Sequence, residues 1–337
     1  MRRLAYALAC VACALLAGCV SQPTLRSAWP VASSEATVAP PADALRYPLT
    51  GMAAPDQSTV ERRPLCVKVA DTGGVAALRG VQAADVVYET SDSGSHTQLA
   101  CILQSAVPKR VAPIGLAGMP DLWIVPQFGA ALFSTGSPAS LSVSLQRAGL
   151  LNLSQDTTAQ SAYARAGRSV ALYGRAAVDA LKARGSDVAT QSAHLRFSAK
   201  SESTATPIVG VSVPFSASSV VAWAYDAKHG VYRRSEGGRP QRDLATKKQI
   251  SARNIVVMWA HYTPLDPDIA GGGGFDVTLG GSGQASVFRG GQRLDGRWKA
   301  DGLSPPRFVA GDGSAIKLAP GNTWVEVIPL STNITLR

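Results

Sequence analysis

Asp85 and Glu89 stand four residues apart in the segment ADVVYET. Side chains alternate along an extended strand, so residues four apart project from one face. Two carboxyls on one face can divide acid–base work, one protonated and one ionised. His96 follows in SDSGSHTQ, beside Asp92 and Ser95. Serine, histidine and aspartate are the groups of a nucleophilic triad, but triad members meet through the fold and not as sequence neighbours. The plain alternative is a strand with charge on its exposed face and Tyr88 packed on the other, followed by a polar loop. The Gly-x-Ser-x-Gly setting of a nucleophile elbow is absent, which favours the plain alternative. The catalytic residues are therefore unassigned, with Asp85, Glu89 and His96 as the candidates. Lys68 and Arg110 are candidate cations that could pair with these carboxyls or, with Tyr88, bind a ligand. His96, His194, His229 and His261 have no metal-ligand spacing, so neither a metal nor another cofactor is expected.

The elements that must position these groups are legible. LCVKVAD, ADVVYET and TQLACILQ are apolar runs rich in β-branched residues and separated by polar breaks, which predicts three strands. PASLSVSLQRAG sets Leu141, Leu145 and Ala148 on one helical face, with Gly149 as a stop; YGRAAVDALKARG does the same with Ala177, Val178 and Leu181. Ser198 to Pro207 is polar and low in complexity, a plausible domain junction. Beyond it the texture is strands and turns, as in SSVVAWAY, NIVVMWAHY and GNTWVEVIP. The glycine-rich stretch LGGSGQASVFRGGQRLDGRW, Leu279 to Trp298, invites a phosphate-cradle reading. A cradle needs a helix N-terminus behind its glycines, and here Val287 and Phe288 mark a strand before a Gly290-Gly291 hairpin signal. The expected fold class is α+β: a mixed α/β N-terminal domain over residues 47–200, then a β-rich, mainly antiparallel C-terminal domain over residues 207–337.

The chain opens with Arg2 and Arg3, then an apolar run from Leu4 to Leu16, too short to span a bilayer comfortably. The run ends in Leu16-Ala17-Gly18-Cys19, which resembles the lipobox of bacterial lipoproteins. The resemblance implies that residues 1–18 are a signal peptide and that Cys19 becomes the lipidated first residue. Residues 19–46, rich in Ala, Ser and Pro, read as a flexible tether of roughly 30 Å. The formal charge of +10 is scattered along the chain, without the concentrated basic stripe of a nucleic-acid binder; nucleic acid is not an expected partner. Once the signal peptide and Cys19 are set aside, Cys66 and Cys101 remain. An exported compartment permits a disulfide between them, while two apolar strands also suit cysteine as a small buried hydrophobe.

GFDVTLGGSGQASVFRGGQRLDGRWK and PPRFVAGDGSAIKLAPGNTWVEVIP, preceded in order by YPLTGM, RRPLCVKVAD, AADVVYET, LQSAVPKRVAPIG and ALFSTGSP, resemble the YerB-like lipoproteins, a family with a domain of unknown function. The resemblance runs from about Pro48 to Pro329. It implies an exported lipoprotein with a mixed first domain and a β-rich second, and no established reaction. Asp85, Tyr88 and Glu89 match the family's Asp-x-Val-Tyr-Glu strand. Two later motifs depart from it. Where the family pattern has an acid and then Gly-Gly-x-Thr-Arg, this chain has Ser93, Gly94, Ser95, His96, Thr97 and Gln98. Where it has Gly-Pro-x-Arg-Ser-x-Arg, this chain runs from Ala112 and Pro113 to Gly115 and Gly118. Arginine forks grip carboxylate or phosphate at two points, so the departures imply a lost or altered anion grip. If Asp85 and Glu89 face the Pro113–Gly118 segment, they lack partners there and must be exposed or newly paired.

These readings converge on an exported, lipid-anchored protein with a non-catalytic binding or scaffolding role toward an envelope polymer or protein. The lipid would lie in the bacterial cell membrane or, in a two-membrane cell, the outer membrane. The competing reading is an envelope hydrolase or transferase using Asp85, Glu89 and His96. Cys19→Ala is expected to abolish lipid labelling and release the protein from the membrane fraction. Retention of that variant with membranes through lipid on a neighbouring residue would overturn the lipobox assignment.

Overall fold

The computed structural model describes residues 45–71, 78–92, 96–157, 159–189, 194–200, 205–266 and 274–337. Residues 1–44, which include the expected signal peptide, Cys19 and nearly all of the expected tether, lie outside them. The described residues fall within one compact unit, Pro41–Arg337.

Eleven principal strands carry the fold. The first half supplies β1 (Leu65–Asp71), β2 (Val86–Ser91), β3 (Thr97–Leu103) and β4 (Ala131–Phe133). The second supplies β5 (Gly210–Pro214), β6 (Val220–Asp226), β7 (Val231–Glu236), β8 (Asn254–Pro264), β9 (Gly281–Arg289), β10 (Gln292–Ala300) and β11 (Thr323–Pro329). Among the described residues, four α-helices punctuate the first half: α1 (Gln57–Glu61), α2 (Asp121–Gln127), α3 (Ala139–Arg147) and α4 (Gly174–Lys182). The three apolar runs expected to be strands are β1, β2 and β3, and the two periodic segments are α3 and α4. Leu141 and Leu145 of α3, and Ala177 and Leu181 of α4, are buried as their spacing requires. Strands far outweigh helices and most pairings are antiparallel, an α+β fold. The helices α1 and α2 are short, and the sequence reading did not anticipate them.

Among the described residues, one sheet of 12 strands runs across both halves, with its central order β10–β9–β8–β11–β2–β3–β1–β4. Its hinge point is a parallel pairing between β2 and β11, in which Val86 lies opposite Thr323 and Glu89 opposite Glu326. Strand β11 also runs parallel to β8. A second, 6-stranded sheet contains β7–β6–β5.

Alternation along the central strands divides the interior into two cores. On one face Val67, Cys101, Val87, Trp324 and Ile255 pack with Val213, Val221, Trp223 and Tyr232 of the second sheet and with Ala177 and Leu181 of α4. On the other, Cys66, Tyr88, Ile102, Val256 and Val325 pack with Ile124 and Phe128 of α2 and with Leu141 and Leu145 of α3. The large sheet is thus a middle layer, buried on both faces. That explains the near-continuous apolar runs of its central strands. It also decides the cysteines: Cys66 and Cys101 sit on neighbouring strands but belong to opposite faces, and both are free and buried.

The stretch from Leu279 to Trp298 is a hairpin of β9 and β10 joined at Gly290-Gly291. Both glycines have positive φ, 57° and 72°, as a two-residue turn matching the strand twist requires. A Cβ on Gly290 would meet nothing within 4 Å, whereas one on Gly291 would lie 2.6 Å from the Tyr225 ring. Gly290→Asn is therefore expected to change stability by less than about 0.5 kcal/mol, because Asn accepts this conformation. Gly291→Ala should cost about 2 kcal/mol from left-handed strain plus the contact with Tyr225. Urea denaturation of the two variants checks the ordering; equal stabilities would contradict the turn geometry.

Candidate functional site

Asp85 and Glu89 do share a face with Val87 between them, but that face is the interior between the two sheets. Asp85 is 2% exposed and Glu89 0%. The expectation of a charged, solvent-facing strand is corrected: β2 is a central strand of a layer covered on both sides. Tyr88 lies buried on the opposite face, as expected, edge-on to Phe128 at 6.0 Å. Its hydroxyl donates to Gln127 Oε1 at 3.4 Å, and burial pushes its pKa up.

The two carboxyls serve separate networks. Asp85 Oδ2 accepts the backbone N–H groups of Gln104 and Ser105 at 2.6 and 2.8 Å, and Oδ1 accepts the Ser105 hydroxyl. It therefore caps the end of β3. Burial raises its pKa above the ordinary aspartate value, although these donors oppose the shift. Glu89 Oε1 and Oε2 accept Arg234 Nη2 at 2.8 and 2.9 Å, and Oε1 also takes the Thr97 hydroxyl at 2.7 Å. His96 lies at the start of β3 with an exposed side chain, its carbonyl accepting Asp92 N–H at 3.0 Å. Asp85, Glu89 and His96 are not gathered in an open cleft. Ser93 and Ser95, the other members of the polar loop, are outside the described residues.

The cation expectations are corrected as well. Lys68 is paired with Asp121 at 2.9 Å, both side chains almost wholly buried, on the face opposite Glu89. Asp121 Oδ2 accepts Gly118 N–H at 2.8 Å. Arg110 is half-buried opposite Tyr173 in a small three-stranded sheet, separate from the sheet holding Asp85 and Glu89. The Pro113–Gly118 segment lies along the end of β1, with Ala70 N–H donating to the Pro113 carbonyl and Gly115 N–H to the Lys68 carbonyl. It does not pair with β2. Glu89 nevertheless finds a cation, Arg234, which is 145 residues away in sequence.

Around Arg234 is a cluster that sequence proximity did not suggest. Besides Glu89, its guanidinium lies 3.3 Å from Asp71 and 3.8 Å from Glu236. Its Nη1 donates to Gln241 Oε1, and its centre sits over the Trp324 ring at 5.1 Å. Gln241 Nε2 donates to both Asp71 and Glu236 at 3.0 Å. Glu326 Oε1 accepts Trp223 Nε1 at 2.7 Å. Arg234, Asp71, Glu89 and Glu326 are all 0% exposed. Burial works against the arginine's charge, but Glu89, Asp71, Glu326 and Glu236 together hold its pKa above the usual range. Two sequence signals pointed here: in VYRRSE, Tyr232, Arg234 and Glu236 form the inward row of β7, and in TWVEVIP a glutamate interrupts a central apolar run.

An open concavity lies elsewhere. A cleft of about 460 Å³ is lined by Tyr47, Pro48, Leu195, Phe197 and Pro320, and also by Arg46 and His194. Arg46 Nη1 is held by the Gly51 carbonyl at 2.9 Å, and none of the lining residues is acidic. The volume is that of a small-ligand site, and the charge suits an anion. Among the described residues no cluster of His, Cys, Asp and Glu is arranged to hold a metal ion.

Comparison with known proteins matches residues 49–188 to the family model described as the N-terminal domain of a protein of unknown function (DUF3048), and residues 211–325 to its C-terminal domain. The Bacillus subtilis (strain 168) protein named "Putative lipoprotein YerB" is 26% identical over 294 residues, covering 85% of this chain and 86% of that protein. The crystal structure of the YerB protein from Bacillus subtilis is similar with a TM-score of 0.76, at 24% identity, over 86% of this chain and 99% of that one.

Removing one partner of a buried ion network leaves uncompensated charge, which costs about 3–5 kcal/mol. Arg234→Met is expected to lose that much stability, whereas exposed Arg175→Ala, whose pairing with Asp179 spans 3.8 Å at the surface, should lose less than about 0.5 kcal/mol. Chemical denaturation of both variants tests this; an Arg234→Met protein as stable as the parent would mean the cluster is not closed as described.

Proposed function

The chain belongs to the DUF3048 family of unknown function, and from that premise we propose that it is an exported lipoprotein with a non-catalytic binding or scaffolding role. It is anchored through lipid on Cys19, and its folded part engages an envelope polymer or protein. The name of the Bacillus relative and the lipobox at Cys19 support the anchor. No helix among the described residues is long and apolar enough to cross a membrane. The folded part follows the tether as two family-matched segments that share one sheet.

One observation carries the non-catalytic reading. The strand carboxyls Asp85 and Glu89 are enclosed, and each is committed to internal donors. A general acid or base must reach the proton it moves, and neither carboxyl has a path to a substrate in this arrangement. The binding reading instead has the Arg46–Phe197 cleft, where aromatic and apolar walls stand beside two basic side chains. An anionic group on an envelope polymer fits that lining.

The test is a pull-down of the protein lacking residues 1–19 against immobilised envelope polymers. Binding is expected to weaken at least tenfold in Arg46→Glu and to survive Asp85→Asn. Turnover of an envelope polymer that vanishes in Asp85→Asn or Glu89→Gln, with folding intact, would put the hydrolase or transferase reading in its place.

A further inference from the structure

Four carboxyls, those of Asp71, Glu89, Glu236 and Glu326, act on the one guanidinium of Arg234 inside the protein. One positive charge cannot balance four negative ones, and a buried excess of like charge is relieved by proton uptake. Glu89 and Glu326 are paired by the strand register. They are direct register partners on parallel strands, and both are fully buried on the same face. Glu89 already takes Arg234 on both oxygens and Thr97 on one. Glu326 Oε1 takes Trp223, while its Oε2 is enclosed without a donor. A carboxylate oxygen stranded next to another carboxylate is costly; a carboxylic acid O–H at that position would instead donate to its neighbour.

We propose that Glu326 is protonated in the folded protein, beside Glu89, and that losing this proton loosens the seat of the second sheet on the large sheet as pH rises. The geometry makes the link between proton and packing. Glu89 and Asp71 belong to the large sheet, Arg234 and Glu236 to β7 of the second, and Gln241 follows β7 and bridges Asp71 and Glu236. Trp223 of β6 donates to Glu326 and packs on Trp324 at 5.1 Å. Every element packed at the pair contributes a group: Asp71 from β1, the Cys101 thiol and Thr97 from β3, Trp223 from β6, Arg234 and Glu236 from β7, and the Tyr262 phenol from β8, which donates to the Val327 carbonyl at 2.6 Å. Arg234 is the one cation of the group.

The direction of the effect follows from the shifts. Burial, reinforced by the charge of Glu89, holds the Glu326 carboxyl well above its ordinary value of 4.5. Burial and the charge of Asp71 raise Glu236 to about 7. Folded-state values raised above unfolded ones give stability that is full below pH 4.5 and is lost as pH rises, through about 7 for Glu236 and through the raised value of Glu326. An exported protein meets the external pH directly, so the cluster would act as a sensor in the place where the proposed function puts it. That consequence rests on the export reading; the titration itself does not.

The experiment compares the protein lacking residues 1–19 with its Glu326→Gln and Glu236→Gln variants. Gln keeps the acceptor for Trp223 and a donor for Glu89 but cannot ionise. Between about pH 5.5 and pH 8.5 the parent Tm is expected to fall, and each variant should lose a clear part of that fall. Infrared spectra of the parent at about pH 6.5 should show the carbonyl band of a protonated, buried carboxyl, and Glu326→Gln should remove intensity from it. Should Glu326→Gln not fold, the parent's band and its loss with rising pH still decide the question. A parent without that band, or variants with the parent's full pH dependence, would overturn the proposal. Either result is read in solution on the unanchored protein, so it is distinct from a failure of membrane anchoring or of polymer binding.

Discussion

The guanidinium of Arg234 must be neutralised where no water reaches it, and the arrangement that achieves this sets the relation between the two sheets. Its contact with both oxygens of Glu89 ties β7 to β2, and its approach to Asp71 extends the tie to β1. Such a pair is weak evidence for net stability, because desolvating the charges offsets most of their attraction. Its consequence is specificity. A slip of β7 by one residue would turn its whole inward row, Tyr232, Arg234 and Glu236, outward and put Val231, Arg233 and Ser235 in its place. Gln241 closes the network because its amide can accept from the arginine while donating to two acids. Two positions later, Asp243 reinforces the same junction, accepting the backbone N–H groups of Gly80 and Gln82 from the first half.

The pairing of β2 with β11 gives the cluster its other wall. The two family-matched segments are separate stretches of sequence, yet their central strands are neighbours in one sheet. Parallel strands in the middle of a layered fold are covered on both faces, so their side chains can stay charged only if a partner arrives from an adjoining layer. Glu89 and Glu326 face the second sheet, where Glu89 meets its arginine and Glu326 accepts from Trp223. Lys68, on the opposite face, meets Asp121 at the start of α2. Among the described residues, each face of the large sheet thus carries buried ionic contact to the layer that covers it.

This division of labour shapes the functional reading. Residues with the most chemical appeal in a list, carboxyls and a lysine on strands, are structural ties between layers. The open cleft is made instead of less conspicuous residues: Tyr47 and Arg46 from the first turn of the fold, Phe197 and His194 from the connection between halves, and Pro320 before the last long strand. Phe197 packs directly over Gly51, whose absent Cβ would lie 2.6 Å from the ring. Clefts of this kind are assembled from connections that meet only after the sheet has formed.

The local features of the protein were determined by the sequence itself. Strands β1 to β3 and helices α3 and α4 followed from apolar period, and the Gly290-Gly291 hairpin from the need for two positive-φ residues between strands; the order of the motifs placed the chain in its family. Each of these depends on residues within a few positions of one another. Partnership and burial did not. Whether Asp85 and Glu89 faced water depended on β2 lying in a central layer, and the cation for Glu89 came from 145 residues downstream rather than from Lys68 or Arg110. Lys68 was taken by a carboxylate 53 residues away. Ion pairing in an interior is decided by strand order and by which layer covers which face. These are properties of long-range packing, and the spacing of charges along a chain does not encode them.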